Sequence, residues 1–554
     1  MCPSVVQFLL LTSIGFSVGL RASASGQPVV KVTQDGGGSY VFVTTENGEL
    51  RGTVTTSLNG TVYSRLLGIP YATPPLGDLR FRAPQPAANW SGTRDAMTMS
   101  AACPQSGLGS EDCLYLNVYF PVSHDSPLPV MFYIYGGAFT MGSATGKAPD
   151  YFMDKGVMLV TFNYRVGSIG FLSLQNDDIP GNAGLKDQVM ALQWVQRNIA
   201  AFGGDPDKVT VFGESAGGAS TSHMLLSPAA KGLFSGVIIE SGQASANWTV
   251  EPVPREKAYR LAEALGFQTE NLTAAEEDER LAAFLRAANH EDLTVDDSRA
   301  LSDFEKRRLS PVAWQPVIEP PSASAVVTES PISILMEGRY NQVPVMTGVT
   351  SADGSVFVAM SGVMESASVA ADLNENFTSL VGSLLPRPTR EEQEAAAQQL
   401  EDFYFGDQGF SQQQPQAVYD MISDLYFIQD TQAFARVVAN TSSFPLYYYY
   451  FDYDGYGSTE YGMAHAQETG YLFMQLVGGP NKDPNSNDGK VLDLLTTLWT
   501  NFAKYGDPAP SGSPVTWEAY TSEASNYLHL KLESETRQDL LPERTQLWKQ
   551  ILPA

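Results

Sequence analysis

Basic side chains are in short supply: 34 Lys and Arg stand against 61 Asp and Glu in 554 residues, a formal charge of -27. Phosphate binding needs clustered cations, so nucleic acid is excluded as a partner, and the acidity is read as a device for solubility. Histidine is limited to five residues, which leaves few candidates for a general base. Long apolar runs are confined to the N-terminus, where Val5 to Leu20 is followed by the small-residue pattern Ala22-Ser23-Ala24. That run lacks a basic leader beyond the terminal amine and falls short of the about 20 residues of a membrane span. The expectation is a signal peptide, residues 1–24, cut after Ala24. No second such run follows, and Leu547 to Ala554 is neither a retention tetrapeptide nor a lipid-anchor tail. A secreted, extracellular chain with no stable membrane anchor is expected.

Cysteine is rarer still. Cleavage removes Cys2 and leaves Cys103 and Cys113, an even pair in an oxidising compartment. A disulfide closing this short loop is expected to contribute about 2–3 kcal/mol. Two thiols without a nearby histidine make a poor zinc shell, so no metal is expected. Acceptor sequons at Asn59, Asn89, Asn247, Asn271, Asn376 and Asn440 suit a secreted glycoprotein.

The composition, 43% hydrophobic and 17% charged, is that of an ordered globular protein. The length alone would suggest three or four domains of roughly 150 residues. The chain, however, shows no internal repeat and no long linker, and residues 25–554 are read as a single domain.

The most informative stretch is Val209-Thr210-Val211-Phe212-Gly213-Glu214-Ser215-Ala216-Gly217-Gly218. Alternating β-formers run into Gly-x-Ser-x-Gly, and small residues compatible with a helix follow. This is the strand, sharp turn and helix context that exposes a nucleophilic serine. The pentapeptide alone is a weak signal, because Gly15-Phe16-Ser17-Val18-Gly19 fits it inside the apolar leader. Context separates the two.

Residues 29–67 read as strands and hairpins, with Asn47-Gly48 and Asn59-Gly60 as turns. Pro70 to Pro86 is Pro-rich and extended. Leu114–Phe120, Val130–Tyr135, Val157–Tyr164 and Gly232–Glu240 read as strands, and Leu185 to Ile199 carries an amphipathic helical period. The β-α-β alternation around Ser215 predicts an α/β fold with a large, mostly parallel mixed sheet flanked by helices. Beyond residue 250 the pattern turns mostly helical, with capping boxes predicted at Thr273/Glu276 and Thr389/Glu392.

A serine hydrolase also needs an oxyanion hole, a base and a group to orient the base. Gly136-Gly137-Ala138 follows a buried strand and lets amides approach a developing oxyanion, where each is typically worth about 3–4 kcal/mol. The expected donors are Gly137, Ala138 and Ala216. With the chain order serine, acid, histidine, His124 precedes the serine and fails. His223 is carried off by the helix after the turn, His290 lies in an acidic helical region of surface character, and His529 sits in a strand. His465, in Tyr461-Gly462-Met463-Ala464-His465, is the expected base. Asp353, just past the strand-like Pro344–Val349, is the expected acid, because parallel sheets present functional groups at the carboxyl ends of their strands. Glu214 is expected to lie beside the base.

Five motifs then carry a resemblance: Phe212-Gly213-Glu214-Ser215-Ala216-Gly217-Gly218, Glu111-Asp112-Cys113-Leu114-Tyr115-Leu116-Asn117, Tyr135-Gly136-Gly137-Ala138-Phe139, Asn163-Tyr164-Arg165-Val166-Gly167 and Gly181–Gln188. From about residue 29 to the end the chain resembles the type-B carboxylesterases, a family that includes cholinesterases and juvenile-hormone-esterase-like enzymes. The resemblance implies an α/β-hydrolase fold, a Ser215–Asp353–His465 triad, a Cys103–Cys113 disulfide, and scaffold ion pairs Arg80–Glu111 and Arg165–Asp187. It implies no cofactor, and a small carboxylic ester as substrate.

Three departures qualify it. The family more often has glutamate at the Asp353 position. Juvenile-hormone esterases usually have glutamine where Glu214 stands. Cholinesterases carry a choline-binding tryptophan in the disulfide loop, whereas residues 104–112 contain no aromatic. A neutral or hydrophobic ester is therefore expected over acetylcholine. The alternatives are a lipase-like or juvenile-hormone-type esterase, and a neuroligin-like adhesion protein without enzymatic activity.

Overall fold

The computed structural model describes residues 31–552 apart from 36–37, 125, 271 and 476. The expected signal peptide and the Asn271 sequon lie outside the described residues. Four strands open the fold: β1 (Lys31–Asp35), β2 (Gly38–Thr45), β3 (Gly48–Thr56) and β4 (Val62–Pro70). They pair antiparallel in chain order, with Asn47-Gly48 and Asn59-Gly60 at the connections. A short β5 (Thr93–Asp95) lies along β3.

The middle of the sheet is built from β6 (Tyr115–Pro121), β7 (Leu128–Ile134), β8 (Met158–Phe162), β9 (Gly204–Glu214), β10 (Gly236–Glu240), β11 (Val345–Thr350) and β12 (Leu446–Phe451). A two-stranded ribbon, β13 (Ser458–Thr459) with β14 (Gly462–Met463), stands apart from it, and β15 (Asn526–Leu530) and β16 (Glu535–Gln538) complete the far edge. The spatial order is β1-β2-β3-β4-β6-β8-β7-β9-β10-β11-β12-β15-β16. From β8 to β15 every neighbouring pair is parallel, and the flanks are antiparallel. Helices cover both faces of such a core, so its strands are apolar throughout rather than alternating. β8, β10 and β11 are buried at every position.

The second half is mostly helical, as expected, with β12 among the strands that interrupt it. Its sequence, Leu-Tyr-Tyr-Tyr-Tyr-Phe, carries no alternation to mark a strand, and its rings pack against Trp499, Trp517 and Tyr520. Tyrosine supplies a large apolar body behind its hydroxyl and so suits a buried strand. Both predicted capping boxes are present, and a third, Ser302/Glu305, opens another helix.

One helical stretch is irregular. The helix Pro415–Ser423 passes through a π-helical turn, Asp424–Ile428, into the helix Gln429–Thr441. Such turns insert a residue, rotate the side chains that follow, and collect at functional sites.

Buried apolar side chains form one contiguous core from Val41 to Ile551. Fixed ion pairs sit inside it. Arg165 meets Asp187 at 2.7 Å with both side chains fully buried, and Arg80 meets Glu111 at 2.6 Å. Lys186–Glu319 at 2.5 Å, and Lys257–Glu251, are equally buried. Cys103 and Cys113 are disulfide-bonded with Cα atoms 5.1 Å apart.

Candidate active site

Strand β9 delivers Ser215 into a turn with φ 60° and ψ -125°, and the helix Ala216–Leu226 begins at once. A non-glycine residue in that region is strained and persists only where its surroundings over-determine it. The surroundings do so here. Ser215 N–H donates to the Glu240 carbonyl at 2.9 Å. The end of β7 crosses so closely that a Cβ on Gly217 would stand 2.0 Å from the Ile134 carbonyl oxygen, and one on Gly213 2.4 Å from it. Both glycines are needed for the approach, as the pentapeptide suggested.

The loop after β7 faces this turn. A Cβ on Gly136 would meet the Glu214 carbonyl at 2.5 Å and the Ser215 Cβ at 2.9 Å. Gly137, Ala138 and Phe139 all take positive φ, at 117°, 53° and 60°. Among the described residues the amides of Gly137, Ala138 and Ala216 donate to no protein acceptor. The disulfide loop braces this segment: Gln105 Nε2 donates to the Gly142 carbonyl at 2.9 Å, and Gly142 N–H donates back to Gln105 Oε1 at 2.8 Å.

Asp353 follows β11, two strands from β9 in the sheet. It is fully buried, and its Oδ2 accepts the Thr350 N–H at 3.2 Å. His465 comes from the loop after β14, which is tied to the Asp353 loop at three points. Met463 N–H donates to Ser351 Oγ at 2.8 Å, Ala352 N–H to the Met463 carbonyl at 2.8 Å, and His465 N–H to Ser355 Oγ at 2.9 Å. These ties bring His465 Nδ1 to 2.6 Å from Asp353 Oδ1. A carboxylate there fixes the proton on Nδ1 and leaves the Nε2 lone pair available. Nε2 is buried, makes no hydrogen bond, and lies 3.5 Å from Glu214 Oε1. The structure thus brings together Ser215, its neighbour Glu214, the Gly136 loop and the Asp353–His465 pair beyond the carboxyl ends of the parallel strands β7, β9 and β11.

Electrostatics favour a basic imidazole. Burial alone would lower the His465 pKa, but the hydrogen bond and charge of Asp353, followed by Glu214 and Glu468, outweigh it and raise the pKa above its ordinary value. Burial raises Glu214, opposed by His465 and Lys147. Two further glutamates stand behind the pair, fully buried. Glu468 accepts from the Tyr449 hydroxyl at 3.0 Å and Glu240 from Trp499 Nε1 at 2.7 Å. Burial first, then neighbouring carboxylates, pushes Glu468 up to about 8 and Glu240 well above the carboxylate range.

The other histidines fall elsewhere. His223 is buried on the helix after Ser215, its pKa lowered by burial to about 4. His124 is exposed and contacts the Ser126 carbonyl. His529 lies in β15 beside Asp452 at 3.0 Å. His290, expected at the surface, opens the short helix His290–Thr294 with its side chain 23% exposed and its Nε2 3.6 Å from Glu291.

Sequence reasoning missed Ser351, Ser355, Glu468 and Phe427. Glu468 stands three residues beyond His465, a spacing visible in the sequence but lost among so many acids. Phe427 reaches the His465 ring, with centroids 4.7 Å apart, from the π-helical turn, for which the sequence offers no signal.

The sequons divide. Asn59, Asn89 and Asn440 are exposed and Asn376 is half-buried. Asn247 faces inward: its Nδ2 donates to the Leu425 carbonyl at 3.1 Å, and Trp248 and Thr249 beside it are buried. The expectation of a surface glycan position does not suit that site, since a sequon records only local residue order.

Comparison with known proteins places these features in a family. Residues 39–548 match the family model described as Carboxylesterase family. The chain is 33% identical to a carboxylic ester hydrolase of Bombus ignitus, over 90% of this chain and 92% of the relative. It is 34% identical to juvenile hormone esterase of Tribolium castaneum over 85% and 84% of the two chains. It is 33% identical to bile salt-activated lipase of Bos taurus over 98% and 91%.

Proposed function

We propose, from the premise that this chain belongs to the carboxylesterase family and hydrolyses carboxylic esters, that Ser215 is the nucleophile, His465 the base and Asp353 the acid that orients it. The 2.6 Å contact between His465 Nδ1 and Asp353 Oδ1 carries this reading, with His465 Nε2 3.5 Å from the Glu214 carboxylate that precedes Ser215. His465 Nε2 takes the Ser215 proton as Oγ attacks the ester carbonyl. The amides of Gly137, Ala138 and Ala216 receive the oxyanion. The tetrahedral intermediate collapses, His465 gives its proton to the departing alkoxide, and an acyl-enzyme remains. Water, deprotonated by His465, then attacks the acyl carbonyl; Ser215 leaves with the returned proton and the carboxylic acid is released.

A neutral or hydrophobic ester is the preferred substrate. The disulfide loop contains no aromatic residue to hold a quaternary ammonium group. The contiguous core supports reading residues 25–554 as one domain. The disulfide supports an extracellular, oxidising location, and among the described residues no helix is long and apolar enough to cross a membrane.

Purified protein assayed against p-nitrophenyl acetate, butyrate, octanoate and laurate, with acetylthiocholine alongside, tests the substrate class. Higher kcat/KM for the neutral esters is expected. Acetylthiocholine as the best substrate would overturn the preference, and a sharp rise toward laurate would favour the lipase-like alternative.

A further inference from the structure

Away from the catalytic loops, a cavity of about 310 Å³ lies between the π-helical turn, the segments around 247–252 and 301–315, and the C-terminal helix Pro542–Ile551. Ser215, Asp353 and His465 do not line it. Phe427, from the same π-helical turn, lies 4.7 Å from the His465 ring and 5.7 Å from Trp248, ring centroid to ring centroid. Its wall is largely aliphatic, with Val312, Leu335, Leu384, Leu425, Val437 and Leu552 among its members. A concave apolar site of this size with a few placed polar groups is the form a small-molecule site takes.

The polar groups single out one ligand charge. Three of the acids that face the cavity are already matched: Glu251 by Lys257, Glu305 by Arg260 at 3.1 Å, and Asp424 by Arg544 at 2.5 Å. The fourth, Asp430, accepts from Ser245 at 2.9 Å, and burial pushes its pKa up to about 6. Among the cations, Lys257 is spent on Glu251. Arg308 is not matched. No carboxylate pairs with it among the described residues, its Nε is buried without a partner, and its guanidinium lies 5.4 Å over the Phe304 ring. Beside it are Ser310, on the cavity wall, and behind that the buried Tyr426 hydroxyl, which interacts with Ser310. Arg308 thus brings a half-buried cation without a carboxylate partner to the wall of an apolar chamber, where a ligand anion would meet it in a charge-assisted hydrogen bond.

We propose that this cavity is a second ligand site that binds an aliphatic carboxylate, with Arg308 holding the anionic head and the aliphatic wall holding the chain. The inference rests on the cavity's own chemistry and not on the assignment of Ser215. One face of the π-helical turn, through Asp424 and Leu425, lines this site, while Phe427 of the same turn rests on His465.

Calorimetric titration of the full-length protein with decanoate, before and after treatment with an organophosphate, tests the site. One equivalent should bind in both states. Arg308→Met should weaken decanoate at least tenfold and leave decanol binding unchanged. Arg308→Lys should restore most of the decanoate affinity, and Ala433→Trp, which fills the cavity, should abolish binding of both, with each variant's fold checked by circular dichroism. Decanoate affinity unchanged by Arg308→Met would overturn the proposal. So would loss of binding on organophosphate treatment, which would place the ligand in the catalytic pocket, or tighter binding of decylamine, which would give the head group to Asp430. Binding rather than turnover is read, so this result and the triad assignment fail separately.

Discussion

Replacing Asp353 by Asn changes one buried atom and probes the least familiar member of the proposed catalytic set. The wild-type carboxylate accepts two protons, from His465 Nδ1 at 2.6 Å and from the Thr350 amide at 3.2 Å. An asparagine amide serves only one of them. With its oxygen on His465, its NH2 faces the Thr350 N–H, donor against donor in a fully buried site. With its oxygen on Thr350, its NH2 donates to Nδ1, moves the imidazole proton to Nε2, and removes the lone pair that must accept the Ser215 proton. Either arrangement also removes the negative charge facing the imidazolium of the transition state. The corresponding change in a serine protease triad costs about 10⁴ in kcat, so a loss of 10³–10⁴ is expected, about 4–5.5 kcal/mol at 1.36 kcal/mol per decade. The assay is kcat/KM for p-nitrophenyl butyrate, with circular dichroism to confirm the fold. A loss under tenfold would refute the assignment and pass the orienting role to another carboxylate, Glu468 or Glu214.

Two further outcomes are expected. The carboxylates around His465 raise its pKa, and the base works only when neutral, so kcat/KM should fall as pH drops through a midpoint above 6.5. An ordinary histidine would give a limb between about pH 5 and 7; a midpoint below 6 would show that burial, not the carboxylates, dominates. Gly217→Ala must push the turn away from β7, since its Cβ would lie 2.0 Å from the Ile134 oxygen. It should cost about 3 kcal/mol or more in urea unfolding. Gly232→Ala, at φ 77° in open space, should cost about 1–2 kcal/mol from backbone strain alone. Equal losses at the two positions would contradict the close-approach argument.

What could be read from the sequence was what local pattern encodes. The run Val209–Gly218 carries its strand, turn and helix within ten or so residues, because alternation, small residues and chirality all act at short range. The capping boxes at Thr273 and Thr389 were readable for the same reason. The meeting of Asp353 and His465 was not a local fact. It depends on Ser351, Ser355 and Met463 joining loops more than a hundred residues apart, and what pointed to it was the chain order of the motif, the strand before Asp353 and the family resemblance. β12 was hidden because an unbroken run of large side chains shows no alternation, and a short run of that kind does not separate strand from helix. Asn247 misled because a sequon says nothing of the cavity it faces. The buried carboxylates Glu240 and Glu468 were lost in an acidic composition, and only burial separates them from the solvated majority.

The central claim is that Ser215 forms the acyl-enzyme, and covalent labelling tests it most directly. Wild-type protein treated with an organophosphate should take up one adduct, carried by the peptide containing Ser215 in mass spectrometry, and lose ester turnover in parallel. Ser215→Ala should take up none and hydrolyse no ester above background. Labelling of Ser215→Ala at the wild-type stoichiometry would contradict the account.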